Sequence, residues 1–225
     1  MMINALIIAS EITKGMKSVG SRSMLTITDN CKVIDQQIHA LKSIHKNIKI
    51  TIAAGYEYEK VTQYLKKYKN IDIVYNTNYR ATNEAENIKL YLEKNKDIDN
   101  LLILNGGVLI KKHCIEPSIF KNNIATIFLM NGVKNNFNLG CNKTNSIEYI
   151  FYDLEQTWSE CIYLKLQQIQ ALQNLLETTK VEHMYMFELI NNILVHGNIK
   201  PLYLNKKDIM KITNINDIVK AKNFI

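Results

Sequence analysis

The chain has 225 residues and a formal net charge of +7 at pH 7, with 47% hydrophobic and 22% charged residues. These values are typical of a soluble globular protein with a sizeable core. A transmembrane helix is excluded, because no apolar run approaches the roughly 20 residues that span a bilayer.

The positive charge does not by itself indicate a nucleic-acid partner. Nearly all the cations are lysines, and Arg22 and Arg80 are the arginines. Proteins that read bases favour arginine, whereas the lysine pairs of this chain lie isolated from one another. The composition therefore disfavours nucleic acid as a partner, and no segment predicts contact with a membrane.

The cysteines favour a reducing compartment. Cys31, Cys114, Cys141 and Cys161 are widely spaced, and no CxxC pair occurs. This spacing favours free thiols over a disulfide framework or a zinc site. The first ten residues lack the basic segment of a signal peptide and read as a strand, so we predict a cytoplasmic protein.

The first half of the chain alternates between strand patterns and helix patterns. The strand candidates are residues 4–10, 48–54, 71–75 and 101–105. Between them, apolar residues recur at helical spacing over residues 34–44, 61–68 and 85–92. This alternation predicts right-handed βαβ units around a mixed, mostly parallel sheet, which is a three-layer α/β/α Rossmann-like fold.

The second half changes character but contains no linker. Residues 124–130 and 147–152 are predicted strands, separated by a long hairpin-like loop. Two core-facing helices follow, the first with Leu164, Ile169, Leu172 and Leu176, the second over 186–194 and ending at His196-Gly197. Late strands over 200–204 and 208–213 precede a final helix that begins near Asn214 or Asn216. We predict one domain over 1–225, with a nucleotide-binding-type half (1–116) and an acceptor-side half (117–225).

Several motifs resemble the nucleotidyltransferases with a glycosyltransferase-A-like Rossmann fold, of the sugar-phosphate and phosphocholine type. The segment 74–92 is similar to the family's "VxNxxYxxTN" motif through Asn76, Tyr79, Thr82 and Asn83. "LNGGVLI" (104–110) stands where the family has "LNGDVLI". Weaker matches are "WSECIYL" (158–164) and "KITNINDIVKAKNF" (211–224). The resemblance covers nearly the whole chain and implies this family's fold.

The same resemblance shows departures in the family's loop for the triphosphate. Residues 9–25 align with "AAGxGxR" and a later Pro-Lys pair, and Ala9 is retained. The loop's glycines let backbone N–H groups approach phosphate, but here they are Glu11 and Thr13. Gly15 replaces the arginine, although Lys14 or Lys17 could supply a point charge, and Ser21-Arg22 replaces the Pro-Lys pair.

The resemblance also locates the family's metal-binding carboxylates, and both are replaced. Gly107 stands at the position of one aspartate, and Thr213 stands at the other. Magnesium takes hard oxygen ligands, commonly one or two carboxylates with substrate phosphates. We therefore predict no metal and no catalytic residue, and Mg²⁺ enters only if Asp153, Asp208 or Asp217 rebuilds a site.

The predicted vestigial nucleotide-binding residues lie mainly where strands end. They are Ala9, Ser10, Glu11, Lys14, Lys17, Arg22, Gly55, Asn83, Asn105, Gly106 and Gly107. Three side chains each allow two interpretations. Asn83 either contacts a base or sugar, or it or Thr82 merely caps a helix. Arg22 either holds a phosphate or is an exposed loop residue, and Trp158 either packs in the core or stacks on a ligand.

Two classes of function remain open from the sequence. The first is a catalytically degenerate nucleotidyltransferase-like protein with a binding or structural role, and a protein assembly partner belongs to it. The second is an active enzyme that makes a nucleotide-activated sugar or alcohol phosphate with a rebuilt metal site. In either class the expected small-molecule partner is a nucleoside triphosphate or a sugar phosphate.

Overall fold

A computed structural model of the chain describes residues 2–11, 20–112, 115–130, 139–142 and 146–225. The strands of this part are β1 (Ile3–Ala9), β2 (Thr26–Thr28), β3 (Cys31–Lys32), β4 (Ile48–Ala54), β5 (Ile71–Tyr75), β6 (Asn100–Asn105), β7 (Val108–Ile110), β8 (Ala125–Met130), β9 (Leu139–Cys141), β10 (Ile150–Tyr152), β11 (Gln156–Lys165), β12 (Ile199–Leu204) and β13 (Ile209–Lys211). The helices are α1 (Val33–Ile44), α2 (Tyr58–Leu65), α3 (Glu84–Lys94), α4 (Ser118–Lys121), α5 (Leu166–Thr178), α6 (Met186–Ile193) and α7 (Asn216–Phe224). No helix within these ranges is both long and apolar enough to cross a membrane.

The central sheet joins the two halves of the chain. Strands β5, β4, β1 and β6 lie side by side and are parallel. The long strand β11 pairs antiparallel with β6 and with β8, and β12 adds a parallel neighbour to β8. The short pair β9 and β10 extends the end of β11. The sheet is therefore mixed, with a parallel half that carries the predicted βαβ units.

Helices cover both faces of the sheet, and the strand periodicity decides which residues each face receives. Along β1, Leu6 and Ile8 pack on one side, while Ile3, Ala5 and Ile7 pack on the other. The first side is covered by α3, α5 and α6, and the second by α1, α2 and α4. Because both faces of β1 are buried, the strand is apolar at every position except Asn4 rather than alternating.

A smaller apolar cluster attaches the C-terminal helix to the main body. Leu25, Val33, Leu109, Ile212 and Ala221 are buried together in it. β13 pairs antiparallel with β7, so residues near the end of the chain lie beside the segment that follows β6. This pairing brings the end of β13 to the 105–108 turn.

The structure confirms the predicted α/β architecture and corrects details in the second half. Leu164 lies in β11, so the helix predicted to contain it begins two residues later, at Leu166. The β-branched and aromatic side chains of 156–165 pair with β6 and β8, and this pairing overrides the helical spacing. The predicted loop between β8 and β10 contains β9, and its residues 131–138 and 143–145 lie outside the described part.

One buried glutamine of α1 fixes the turn that follows β6. The Nε2 atom of Gln37 donates to the carbonyl oxygens of Asn105 (2.9 Å) and Val108 (2.8 Å). The side chain is 1% exposed, so water cannot replace these bonds. The helix thereby holds the turn at Gly106 and Gly107 in place.

We expect Gln37→Met to lower the free energy of unfolding by about 1–3 kcal/mol, because two buried carbonyls lose their donor. Urea denaturation measures the change. The matched control is Gln173→Met, since Gln173 donates one exposed bond to the carbonyl of Lys96. A loss for Gln37→Met no larger than the control's would contradict this role of Gln37.

A second buried polar group ties α1 to α2. Asp35 is 1% exposed and accepts hydrogen bonds from the hydroxyls of Tyr64 (2.5 Å) and Tyr68 (2.6 Å), and from Lys67 Nζ (2.9 Å). Burial alone raises the pKa of Asp35, but these bonds and one from the backbone of Lys32 outweigh burial and lower it. The folded state therefore favours the carboxylate.

We expect Asp35→Asn to cost about 3 kcal/mol of unfolding free energy at pH 7, because Lys67 and two hydroxyls lose a buried anionic partner. Since the folded pKa is depressed, this contribution is complete above the ordinary value of about 3.9 and disappears as pH falls through the folded pKa. Denaturation between pH 2 and pH 7 tests it. Asp72→Asn, which removes an exposed pair with Lys49, should change little at any pH.

Candidate functional site

The carboxyl ends of the parallel strands meet at one edge of the sheet, and most of the predicted site residues lie there. Ala9 ends β1, Ser10 follows it, and Gly55 follows β4. Asn105 ends β6, the neighbour of β1 on its other side. In open α/β folds ligands bind outside this edge, so the topology gathers these residues into one candidate cleft.

Two of the glycines are required because backbone approaches backbone. A Cβ atom at Gly106 would lie 2.5 Å from the carbonyl oxygen of Ile8, and the N–H of Gly106 donates to that oxygen at 2.7 Å. A Cβ at Gly55 would lie 2.6 Å from the Cβ of Tyr79 and 2.8 Å from the carbonyl oxygen of Ser10. These contacts account for Gly55 and Gly106 as packing requirements of the cleft floor.

Gly107 is required for a different reason, because an arginine side chain occupies the space beside it. A Cβ at Gly107 would lie 2.6 Å from Cδ and 2.7 Å from Nε of Arg22. The same guanidinium donates to Glu11 Oε2 (3.0 Å), to Asn105 Oδ1 (2.9 Å) and to the carbonyl oxygen of Ile212 (3.2 Å). Arg22 is therefore a fixed member of the cleft, with a side chain that is 15% exposed.

The residues present do not fit a magnesium ion. Position 107 has no carboxylate, and a side chain there would collide with Arg22. The hydroxyl of Thr213 donates to Asp217 Oδ2 at 2.8 Å, so it is committed to the start of α7. Within the described ranges, no group of three or more His, Cys, Asp or Glu side chains is placed to hold a metal.

Asp217 itself serves the helix and not the cleft. Its Oδ2 atom accepts from the backbone N–H groups of Thr213 (2.9 Å) and Asn214 (3.2 Å), and Lys220 pairs with Oδ1 at 3.1 Å. Burial raises the pKa of Asp217, but these bonds outweigh burial and lower it. An acid in this position satisfies N–H groups next to the first turn of α7.

A cavity of about 700 Å³ opens beside Glu11, the partner of Arg22. Its lining includes Glu11, Tyr56, Tyr79, Arg80, Thr82, Asn83, Glu84 and Tyr185. Burial raises the pKa of Glu84 to about 9, helped by the charge of Glu11, a hydrogen bond with Glu11 and the charge of Glu160. The surroundings of Glu84 therefore favour its protonated form, which shares a hydrogen bond with Glu11.

Glu160 stands close to this pair on a strained segment of β11. The pairing of β11 with β8 shifts register between Trp158 and Ile162, and Glu160 has a φ of 59°. A non-glycine residue in this left-handed region costs of order 1–3 kcal/mol and is common at functional sites. Lys211 of β13 pairs with Glu160 at 2.6 Å and balances its charge.

An aromatic cluster lies next to these carboxyl groups. Tyr185 is 49% exposed and stacks on Phe187 with ring centroids 6.1 Å apart, and the Tyr152 ring lies 5.8 Å from Phe187. Burial raises the pKa of Tyr152 most, and electrostatic repulsion from Tyr185 and Glu84 raises it further. The aromatic rings therefore lie beside the carboxyl groups.

The structure places the remaining predicted residues as follows. The Nδ2 of Asn83 donates to the carbonyl of His183 at 2.5 Å, so its side chain does not cap α3 although Asn83 precedes that helix. Trp158 is fully buried and donates to the carbonyl of Cys161, which places it in the core. Lys14 and Lys17 lie outside the described residues.

Sequence reasoning missed acidic and aromatic residues that line the cavity or lie beside it. Glu84 directly follows the "TN" motif, and Glu160 is the acid of "WSE", so both stood inside segments already singled out. Tyr152 and Tyr185 carried no local signal, because only packing around Phe187 brings them together. Their common location is a property of the fold.

Comparison with known proteins gives matches in structure alone, since no family model and no curated protein matches the chain. A CTP:phosphocholine cytidylyltransferase from Streptococcus pneumoniae superposes with a TM-score of 0.81 at 16% identity, covering 99% of each chain. A nucleoside-diphosphate-sugar pyrophosphorylase from Vibrio cholerae RC9 gives 0.76 at 10%, covering 97% of this chain and 100% of that one. An inositol-1-phosphate CTP transferase from T. maritima gives 0.74 at 14%, with 99% and 94% covered.

Sequence identities this low show that the fold is shared, and the chemistry has to be argued from the residues of this chain. The matches extend over both halves of the chain, as the resemblance of the motifs predicted. The described chain therefore has the Rossmann-like fold of the nucleotidyltransferases.

Proposed function

We propose that this chain is a binding protein that takes a zwitterionic phosphate ester of a small organic cation, of the phosphocholine class, and does not catalyse metal-dependent nucleotidyl transfer. The observation that carries the proposal is the composition of the cavity. Its lining combines carboxyl groups, tyrosine rings and an arginine.

The acidic and aromatic side chains of the lining suit an organic cation. Ring faces attract cations, and recognition of alkylammonium groups by aromatic side chains is a common use of this interaction. Tyr185 offers an exposed ring beside Glu84 in the lining of the cavity. The raised pKa of Glu84 favours its protonated form in the free protein, so an arriving cation can convert it to the carboxylate by displacing that proton.

Arg80 supplies a complementary charge for the phosphate. Its guanidinium carbon lies 5.7 Å from the centroid of the Tyr79 ring, and its Nε donates to the Tyr79 hydroxyl at 3.2 Å. A guanidinium has five N–H donors and pairs bidentately with phosphate. A zwitterion can thus meet both carboxyl groups and a guanidinium in this lining.

The absence of transfer follows from the chemistry of the reaction in this fold. Phosphoryl transfer depends on positioning and on neutralising developing negative charge, which metal ions commonly do. Position 107 cannot receive a carboxylate while Arg22 stays in place, and Glu11 puts a carboxylate beside it. The similar structure from Streptococcus pneumoniae is that of a CTP:phosphocholine cytidylyltransferase, which supports the choice of ligand class.

We expect isothermal titration calorimetry with phosphocholine, in the presence of EDTA, to show saturable binding of one phosphocholine per chain. Tyr185→Ala should weaken the binding about 2- to 30-fold, because a cation–π contact of about 0.5–2 kcal/mol is lost. The matched control is Tyr203→Ala, a tyrosine of β12 that is 38% exposed and lies outside the described lining of the cavity.

The same protein, incubated with CTP, phosphocholine and MgCl₂, should release no pyrophosphate. Release at a rate proportional to protein would establish the active transferase and contradict this proposal. Binding of glucose 1-phosphate with no binding of phosphocholine would contradict the ligand class. An equal loss in Tyr185→Ala and Tyr203→Ala would contradict the location.

The raised pKa of Glu84 gives a pH dependence of known sign. Because burial and the charge of Glu11 favour the protonated carboxyl in the free protein, we expect a bound cation to displace that proton. We therefore expect phosphocholine affinity to rise between pH 7 and pH 9, with proton release measured by titration in buffers of different ionisation enthalpy. Glu84→Gln should remove both effects, and an unchanged pH profile in Glu84→Gln would contradict the assignment.

A further inference from the structure

The guanidinium of Arg22 is surrounded by oxygen atoms of the kinds that hard metal ions take. Glu11 contributes a carboxylate oxygen, Asn105 a side-chain amide oxygen, and Ile212 a backbone carbonyl. Carboxylates, amide oxygens and backbone carbonyls are the usual protein ligands of hard divalent cations. Here all three oxygens accept hydrogen bonds from one monovalent side chain.

The position of Arg22 is fixed from both sides of the cleft. The preceding residue, Ser21, donates its N–H to Glu57 Oε2 at 2.9 Å. On the other side, Asn105 Oδ1 accepts from the Gly107 N–H at 3.1 Å as well as from the guanidinium at 2.9 Å. An amide that binds its own backbone two residues on is held in one orientation. The arginine and its acceptor are thus both preorganised.

We propose that Arg22 is a resident cation that takes the place of a divalent metal ion at this edge of the sheet, so that the cleft is charge-balanced without metal. The side chain fills the volume that a carboxylate at position 107 would need. Its charge neutralises Glu11, which is the carboxylate beside Glu84. The proposal rests on the proposed function, because it explains how the cleft binds its ligand with no divalent ion.

The volume argument predicts coupling between positions 22 and 107. Gly107→Asp should destabilise the wild-type chain, because its Cβ meets Arg22 Cδ at 2.6 Å and the carbonyl oxygen of Ile212 at 2.9 Å. In an Arg22→Ala background the first collision is gone, so the same change should cost less. A double-mutant cycle in urea measures the interaction, and strict additivity would overturn the steric part.

The charge argument predicts a gain of metal binding. Titration of Mn²⁺, followed by its electron paramagnetic resonance signal, should show no saturable site in the wild type. Arg22→Ala/Gly107→Asp should bind one Mn²⁺. The control Arg22→Ala/Gly107→Asn, equal in size but without the carboxylate, should bind it about tenfold more weakly or worse, a difference of about 1.4 kcal/mol.

Circular dichroism and thermal melting identify folded variants before the titration. If the double variants do not fold, the pair Arg22→Ala and Arg22→Lys decides: Ala should gain Mn²⁺ binding, and Lys, which keeps a cation, should not. Saturable Mn²⁺ binding to the wild type, or none in a folded Arg22→Ala/Gly107→Asp variant, would overturn the proposal. Failure of phosphocholine to bind the wild type in EDTA would instead refute the proposed function and leave this result to stand separately.

Discussion

The contact between the Arg22 side chain and Gly107 is the constraint on which the rest of the cleft depends. Because position 107 has no side chain, the guanidinium reaches Asn105, Glu11 and the carbonyl of Ile212 at once. A larger residue would move the arginine and separate those acceptors. One absent side chain therefore decides both the shape and the charge of the cleft floor.

The charged groups of the cleft form a short series of neighbours. Arg22 pairs with Glu11 at 3.0 Å. Burial raises the pKa of Glu84, the charge of Glu11 raises it further, and Lys211 offsets the charge of Glu160. A buried acid with a raised pKa is a group that responds to an arriving charge. Ligand binding and proton release are consequently linked in the proposed function.

Scaffold and chemistry are separable in this chain. A TM-score of 0.81 at 16% identity means that the strands and helices retain their arrangement while most side chains differ. The arrangement needs apolar strands buried on both faces and helices with one apolar face, and many sequences meet that requirement. A metal site or a phosphate loop needs particular residues at particular positions, so single replacements such as an aspartate by glycine change the chemistry and leave the fold.

The sequence by itself determined the α/β class and most element positions in the first half, where strands 48–54 and 71–75 were predicted to the residue. Its resemblance to the family also showed that Gly107 stands where the family has a metal-binding aspartate. These properties are local or periodic, so they can be read along the chain. Only the tertiary structure decided that Arg22 fills the space beside Gly107 and that Tyr185 and Glu84 line one cavity. Those residues lie about eighty to a hundred positions apart, and contacts across such separations are set by strand order and helix packing, which no local pattern encodes.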